Sequence, residues 1–278
     1  MNRLPFKKRL SNVFIYIILT ITAIVVLYPV VWIITGSMNP GDSLFSTRLI
    51  PETFSLHHYT YLFEQTNYLI WYKNTLKIAF WNMIISTILV VSAAYAFSRF
   101  RFRGRTQGLM AMLVLQMFPG FMGMIAIYIL LLQLGLLDNH WGLILVYAGG
   151  SIPFGAWLVK GYFDGLPRSL DEAAKMDGAG HLTIFFKVML PLSKPIIVFI
   201  AINNFIGPWM DFIFARLILR SGDKKTLAVG LFEMVTGQGN TEFTTFAAGA
   251  VLVAIPITIL FFIFQDHLVE GLKAGANK

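Results

Sequence analysis

The chain has 278 residues, 56% of them hydrophobic and only 13% charged, with a mean hydropathy of +0.69. An average soluble domain is about 25% charged, and a soluble fold of this length has too little interior to hide so much apolar surface. These values predict an integral membrane protein. The absence of cysteine from the sequence excludes disulfides, thiol nucleophiles and cysteine-ligated metal sites.

Six apolar stretches along the chain are long enough to cross a bilayer as helices, which takes about 20 residues each. β-Barrel strands would be about 10 residues long and would alternate, so these longer, continuous stretches predict an all-α polytopic membrane protein. We expect a single domain over residues 1–278. Its predicted spans are 13–34, 78–97, 109–132, 142–161, 196–214 and 246–264.

Two of these stretches contain a proline that is expected to break the helix. They are the third span, which contains Pro119, and the sixth span, which contains Pro256. Membrane helices tolerate such breaks because neighbouring helices can satisfy the freed backbone groups.

Lysine and arginine are unevenly distributed between the segments that join the spans. Six spans place both termini on one side, and 15 of the 22 basic residues then lie on that side and 7 on the other. Cytoplasmic segments are enriched in basic residues, so we expect both termini and the segment 166–195 to lie in the cytoplasm. This topology accounts for the net charge of +8 without a nucleic-acid partner.

The segment 166–195 is polar in a chain whose other long segments are mostly apolar. Ser169 and Glu172 have the spacing of a capping box, which predicts that a helix starts at Ser169. Good helix formers follow, and Gly178 and Gly180 are expected to end the helix, since glycine readily adopts the left-handed conformation there.

A second helix is predicted over 181–190, running to Pro191. On the residues alone, a docking element for another protein and a plain connector between two spans are equally good interpretations of this helical pair.

The residues of this segment have the spacing of a known motif: Glu172-Ala173-Ala174, Asp177-Gly178 and, after nine further residues, Val188 followed by Leu190-Pro191. The pattern resembles the EAA loop of ATP-binding-cassette importer permeases, which usually have isoleucine where this chain has Val188. The resemblance implies a type I importer permease fold with six spans. It also implies a coupling helix that seats in a cleft of a cytoplasmic ATPase, formed here by Glu172, Ala173, Ala174, Asp177, Gly178, Leu190 and Pro191.

The similarity extends over nearly the whole chain, in particular at 55–63, 209–212, 227–231, 246–256 and 268–276. These segments resemble the carbohydrate branch of the family, and specifically the smaller membrane subunit of maltose-type importers, although Met210 stands where asparagine is usual. The resemblance implies a bacterial cytoplasmic-membrane complex that imports oligosaccharides such as maltodextrins by alternating access. Its partners would be a larger permease subunit, two copies of an ATPase subunit, an extracellular solute-binding protein and membrane lipid.

The same resemblance implies that this chain is not an enzyme. ATP and Mg would be bound by the partner ATPase, so we expect no catalytic residue, cofactor or metal in the chain itself. The five histidines also lack the spacing of metal ligands.

Polar residues near the end of the fifth span are candidates for a substrate path. Asn203 and Asn204 are expected in mid-span, with Trp209 and Asp211 in the outer part of the same helix. An ionisable group costs about 2.5–3.5 kcal/mol at the centre of a spanning helix, so such groups usually face protein or water. Hydrogen bonding between helices and contact with a sugar, with Trp209 as a stacking face, both remain open.

The external segment 217–245 contains the glycine-rich sequence TGQGNT at 236–241. The family resemblance places a loop here that probes the solute-binding protein, with Gly237, Gln238 and Gly239 as its contact residues. Any flexible surface loop has a similar composition.

A self-sufficient secondary transporter or channel is the alternative function. Such proteins often show inverted repeats and functional intramembrane charges. This sequence shows no evident repeat and one acidic residue within a predicted span.

Overall fold

The computed structural model describes residues 6–41, 50–236 and 242–276, and the side chains of 12–41, 50–236 and 242–266. This part of the chain is helical and contains no strand. A π-helical turn, Phe185–Met189, joins α8 to α9. The α-helices are α1 (Phe6–Gly36), α2 (His57–Gln65), α3 (Tyr68–Arg99), α4 (Arg105–Gln116), α5 (Gly120–Gln133), α6 (His140–Asp164), α7 (Arg168–Met176), α8 (His181–Ile184), α9 (Leu190–Leu192), α10 (Lys194–Met210), α11 (Ile213–Ile218), α12 (Leu227–Thr236) and α13 (Phe243–Ala276).

Four of the described helices are long and apolar enough to cross a membrane by themselves, namely Asn12–Gly36 of α1, α3, α6 and Phe243–Asp266 of α13. Two pairs pass the same test as bent spans: α4 with α5, which meet at 100°, and His181–Leu192 with α10, which meet at 82°. Six spans result if each bent pair counts as one.

The two prolines behave differently. Pro119 precedes α5 with an extended backbone and separates it from α4, as predicted. Proline has no N–H to donate and disfavours a helical residue before it, so α4 ends at Gln116. The predicted break at Pro256 is wrong, because α13 runs through it without interruption. A membrane helix can carry a proline when local adjustments satisfy the freed carbonyl.

Helix α3 begins at Tyr68, well before the predicted start of the second span at residue 78. The extra turns are too polar to stand out in a hydropathy profile, but they are held by packing and hydrogen bonds. The Asn74 amide donates to the carbonyls of Asp223 and Lys225, at 2.8 and 3.0 Å. A Cβ atom added to Gly230 would lie 2.1 Å from the ring of Trp71, so only glycine permits this approach.

The chain divides into two compact units, Met1–Thr66 with Leu231–Ala254, and Asn67–Gly230 with Ile255–Lys278. In the described part of the first unit, polar contacts join its helices to one another. His58 is buried and its Nδ1 lies 3.0 Å from Oγ1 of Thr245. The hydroxyls of Ser37 and Tyr59 are 2.7 Å apart.

The second unit packs α3 along α6 and α10 and contains two buried apolar clusters. The first, called core cluster 1, consists of Val90, Val91, Ala94, Tyr95, Val159, Phe163, Ile184, Met189, Ile196 and Ile200. The second, called core cluster 2, consists of Ile78, Leu131, Leu143, Ile144, Phe214, Ala215, Ile218, Leu219 and Val229. Core cluster 1 contains residues of the 166–195 segment, so that segment packs against the spanning helices.

Gly155 allows α6 to approach α3 closely. A Cβ atom added there would lie 2.8 and 2.9 Å from the two Cγ atoms of Val90.

We expect Gly155→Ala to lower the thermal unfolding midpoint of the purified protein in detergent, because overpacking costs about 1–3 kcal/mol. Gly149→Ala, on the same helix with nothing within 4 Å of the added Cβ, is the control and should leave the midpoint unchanged or raise it. Equal midpoints for the two variants would contradict this packing.

Candidate coupling segment and cavity

Helix α7 has one face on the protein and one face exposed. Asp171 is buried and Ala174 packs half-buried against core cluster 1. Glu172 and Ala173 are exposed, as are Asp177 and Gly178 at the end of the helix. The motif residues therefore divide into a set that reaches a free surface and a set that holds the segment to the core.

The predicted capping box at the start of α7 is wrong. The helix begins at Arg168, directly after Pro167, and no side chain caps it. Proline fixes its own φ and has no N–H, so Pro167 can start the helix without a capping side chain. Ser169 and Glu172 consequently lie inside the helix, two residues after the N-cap position and its capping-box partner position.

The end of α7 follows the prediction at Gly178. This glycine has a φ of +80°, and its N–H donates to the Lys175 carbonyl at 3.0 Å, while the Ala179 N–H donates to the Ala174 carbonyl at 2.9 Å. These two bonds form a Schellman motif, which satisfies carbonyls at the helix end. Gly180 does not end α7, since it has an extended backbone and directly precedes α8.

The second helical stretch continues to Leu192, so its predicted end at Pro191 is wrong. Ahead of the proline, the Leu190 N–H donates to the Phe185 carbonyl, five residues back, in the π-helical turn. A wider turn relieves the clash between a proline ring and the carbonyl four residues before it. Leu190 is half-buried against core cluster 1, and Pro191 is exposed.

A buried ion pair fixes α7 to the end of α3. Nε of Arg99 lies 2.6 Å from Oδ2 of Asp171, and the two side chains are only 7% and 11% exposed. The contact is an ion pair without the alignment of a hydrogen bond. Nη2 of Arg99 also donates to the Leu166 carbonyl at 3.3 Å, and neighbouring Ser98 donates to Asp164 at 2.7 Å. This pair could not be predicted from the sequence, because its members lie far apart along the chain.

Large apolar side chains are exposed at the end of α7 and in the helical stretch that follows it. Met176 is 89% exposed, Leu182 is 74% exposed and Phe186 is 60% exposed. Exposed apolar groups with polar neighbours mark surfaces that contact another protein or the membrane. Exposed Glu172 and Asp177 supply those polar neighbours.

A cavity of about 440 Å³ lies in the second unit, within the spanning helices. Asn203, Asn204 and Asp211, three of the four candidates for a substrate path, line it. The whole lining is Asn82, Gly120, Met124, Ile127, Val146, Tyr147, Gly150, Ser151, Asn203, Asn204, Gly207, Pro208, Asp211 and Phe214.

The amides of the cavity are held by directed bonds. Those of Asn203 and Asn204 donate within α10, to the carbonyls four residues back, at 2.8 and 3.0 Å. The bond between helices comes instead from Asn82, whose amide donates to the Asn204 carbonyl at 2.6 Å. Ser86 donates to the other end of the Asn82 amide at 2.8 Å. Sequence reasoning missed Asn82, although a lone amide within an apolar stretch is a signal that could have identified it.

Asp211 lies outside the fifth spanning helix, so its predicted place within that helix is wrong. Helix α10 ends at Met210, and Asp211 has an extended backbone. Its carboxylate accepts the N–H groups of Phe214 and Ala215, both at 3.1 Å, and the hydroxyl of Tyr147. Asp211 therefore caps the start of α11 and ties it to α6, which explains why α10 must end before it.

Trp209 does not line the cavity, so the expected stacking face is wrong. Its ring is 4% exposed and packs against Tyr72 and Phe205, with centroids 5.4 and 5.9 Å away. Five residues separate Trp209 from Asn204, which places the two about 140° apart around a helix of 3.6 residues per turn.

The remaining predicted site residues, Gly237, Gln238 and Gly239, lie outside the described residues. Across 12–41, 50–236 and 242–266, where side chains are described, no group of three or more His, Cys, Asp or Glu side chains is arranged to hold a metal ion.

A second cluster missed by the sequence centres on Asp138, between α5 and α6. Asp138 has a φ of +53° and accepts the backbone N–H groups of Arg220 and Ser221, at 2.9 and 3.0 Å. The Ser221 hydroxyl and Lys224 Nζ also donate to its carboxylate. Burial raises the pKa of Asp138, but these hydrogen bonds outweigh burial and hold the pKa well below its usual value.

We expect Asp138→Asn to lower the thermal unfolding midpoint in detergent at neutral pH, because the bonds from Ser221 and Lys224 favour the charged carboxylate. A depressed pKa contributes stability above the unfolded-state pKa and loses it as pH falls toward the folded-state pKa. The difference between wild type and variant should thus stay constant from pH 8 to pH 5 and shrink only below about pH 4. A difference that shrinks between pH 8 and pH 6 would contradict this assignment.

Comparison with known proteins connects these features to a transport function. The model of the family described as "Binding-protein-dependent transport system inner membrane component" matches residues 88–274. The galactooligosaccharides transport system permease protein GanQ of Bacillus subtilis is 45% identical over 98% of this chain and 97% of its own length. The maltodextrin transport system permease protein MdxG of Bacillus subtilis is 40% identical over 98% of both chains.

Solved structures agree with these relatives. A chain from the crystal structure of a bacterial ABC transporter involved in the import of the acidic polysaccharide alginate superposes with a TM-score of 0.82 and 28% identity, over 96% of this chain and 100% of that one. A chain of the inward-facing MetNI methionine ABC transporter gives a TM-score of 0.55 and 17% identity, over 73% of this chain and 94% of that one, which is a likeness of fold alone.

Proposed function

Because the chain belongs to the family of binding-protein-dependent transport system inner membrane components, we propose that it is the permease subunit of an ATP-driven sugar importer. The observation that carries the proposal is helix α7, which is fixed on one face to the spanning helices and exposed on the other. A plain connector between two spans needs no helix that is held on one face and left free on the other. A docking element for a motor subunit does.

The proposed motor is a cytoplasmic ATPase present in two copies, which binds ATP and Mg. Exposed Glu172, Ala173, Asp177 and Gly178 form the docking face, flanked by apolar Met176. Small residues let the partner approach closely, and the two carboxylates suit basic groups at its rim. Ala174 and Leu190 hold the segment to core cluster 1, so they act from behind this face. Pro191 is exposed.

The proposed complex also contains a larger permease subunit and an extracellular solute-binding protein, and both termini of this chain face the cytoplasm of a bacterial cell. The segment containing Gly237, Gln238 and Gly239 would contact the solute-binding protein. Supporting this, one solved structure of similar fold is a bacterial alginate ABC transporter in complex with an oligosaccharide-bound periplasmic protein. Arg99 and Asp171 form an ion pair, so they lie on the same side of the membrane. This supports the proposed topology, in which both are cytoplasmic.

The proposed substrate is a neutral oligosaccharide of the galactooligosaccharide or maltodextrin kind, as in the names of the relatives. The cavity supports this class, because amides such as Asn203 and Asn204 can exchange hydrogen bonds with sugar hydroxyls. The one carboxylate in its lining, Asp211, already accepts three donors. With these bonds made, the Asp211 carboxylate is poorly placed to bind a charged group on a sugar.

The direct experiment is ATP-driven uptake in proteoliposomes that contain this chain, its larger permease partner and the ATPase, with the solute-binding protein added outside. We expect uptake of galactooligosaccharide or maltodextrin only when all components and internal ATP are present. Vesicles with this chain alone should be inactive. ATP-independent uptake by this chain alone would instead establish the self-sufficient transporter.

The same vesicles test the substrate path. Asn203→Ala should lower uptake or change the range of sugars accepted, because the residue lines the cavity. Met210→Ala is the control, since Met210 lies outside the lining. An assembled Asn203→Ala complex with wild-type uptake and substrate range would exclude sugar contact at this position.

The glycine bend after α7 provides a test of coupling. Gly178 has a φ of +80°, where a β-branched residue is strained, whereas Gly180 has an ordinary extended backbone and open space around it. We expect Gly178→Val to displace the docking face and to lower sugar transported per ATP hydrolysed about fivefold or more, because a non-glycine residue in this left-handed conformation costs about 1–3 kcal/mol. Gly180→Val should retain most of the wild-type ratio. Equal ratios in the two variants would exclude a role for the bend.

A further inference from the structure

Helix α3 carries, on one continuous helix, both the anchor of α7 and a hydrogen bond at the cavity. We propose that Arg99 and Asp171 are positioning residues that make α3 the mechanical link between the coupling segment, residues 166–195, and the cavity. This inference rests on the proposed function and adds to it the route by which α7 acts on the substrate path.

The link begins at the buried ion pair. Arg99 is the last residue of α3, and Asp171 lies in the first turn of α7, with the charged groups 2.6 Å apart. Arg99 also holds the Leu166 carbonyl, which lies just before α7. Removing one member of a buried ion pair leaves an uncompensated charge, so the pair resists separation. A displacement of α7 is therefore passed to the end of α3.

The link continues through a helix with no internal weak point. Helix α3 runs over 32 residues without a proline or a glycine. The other long helices, α1, α6, α10 and α13, each contain an internal proline, at Pro29, Pro153, Pro208 and Pro256. Proline removes a backbone hydrogen bond and favours bending. Among the long described helices, α3 is thus the best suited to transmit a push over its length.

The link ends at Asn82, which lies 17 residues before Arg99, or about 25 Å along a helix with a rise of 1.5 Å per residue. Asn82 is buried, lines the cavity and donates to the Asn204 carbonyl of α10 at 2.6 Å. Any shift of α3 along or about its axis consequently moves or breaks a bond in the cavity wall.

The covalent route from α7 to the cavity is less direct. It passes through left-handed Gly178, the π-helical turn Phe185–Met189 and a bend of 82° at Ser193 before reaching α10. Each of these is a departure from regular α-helix at which the chain can yield. The non-covalent route through Arg99 and Asp171 avoids all three.

The experiment uses the complete importer in proteoliposomes and measures sugar transported per ATP hydrolysed. Asp171→Asn removes the charge but keeps the shape of the side chain, and Arg99→Asp combined with Asp171→Arg reverses the pair. Lys160→Ala is the matched control, because it removes a partly exposed pair with Asp164 on α6 and leaves the ion pair at α7 intact. Arg99→Lys, which keeps the charge but loses the forked contact to Leu166, is the second variant if Asp171→Asn does not assemble.

A second readout follows the cavity directly. Since this chain contains no cysteine, Ser151→Cys places one thiol in its cavity lining. In the otherwise wild-type complex, the rate at which a polar maleimide labels this thiol should change when the ATPase is trapped with nucleotide. A complex without the added cysteine corrects for labelling of the other subunits. A purely structural role of the ion pair would not remove a nucleotide-dependent change in an assembled complex.

We expect Asp171→Asn, or Arg99→Lys in its place, to lower the transport-to-ATP ratio about tenfold and to abolish the nucleotide-dependent change in labelling. The reason is that the contacts of Arg99 no longer hold α7 in position against α3. The reversed pair should recover a large part of both, and Lys160→Ala should match wild type. A wild-type ratio in both single variants, or no recovery in the reversed pair, would overturn the proposal. Absence of ATP-driven transport in the wild-type complex would instead reject the proposed function.

Discussion

Lipid offers no hydrogen-bond partners, so each place where a membrane helix breaks must be satisfied from within the protein. The break after α10 is satisfied by Asp211, whose carboxylate caps α11 and accepts the Tyr147 hydroxyl of α6. At the bend before α10, the Ser193 N–H donates to the carbonyls of Met189 and Leu190. These bonds determine where the helices turn, and thereby where the cavity and the coupling segment lie.

The second unit combines stiff and yielding elements in a way that suits a transporter. Helix α3 is unbroken, while the helices around it bend or carry proline. Core cluster 1 binds the coupling segment to the spanning helices, and the buried pair of Arg99 and Asp171 fixes its orientation. The free face of α7 is left to a partner. If the ATPase binds that face, as we propose, work done on it can reach the cavity without unfolding the segment between them.

Much of this was predictable from the sequence, and the rest depended on contacts between distant residues. The family resemblance is confirmed, and the multi-pass helical fold of a type I importer permease followed from apolar length and the EAA spacing. Gly178 was correctly placed because a helix end is a local property. The Ser169 cap, the helical position of Asp211 and the cavity face of Trp209 were wrong. Pro167 starts α7 early, Asp211 accepts bonds both from nearby backbone and from distant Tyr147, and Trp209 packs against distant Tyr72.

The most direct test of the central claim is whether α7 touches the ATPase. With no cysteine in the chain, Ala173→Cys and Ala174→Cys each place one thiol in this helix, on its exposed and its half-buried side. In the assembled importer, a short thiol-to-amine crosslinker should join the ATPase to Ala173→Cys with high yield and to Ala174→Cys with much lower yield. No ATPase product from Ala173→Cys, or equal products from both positions, would contradict the account.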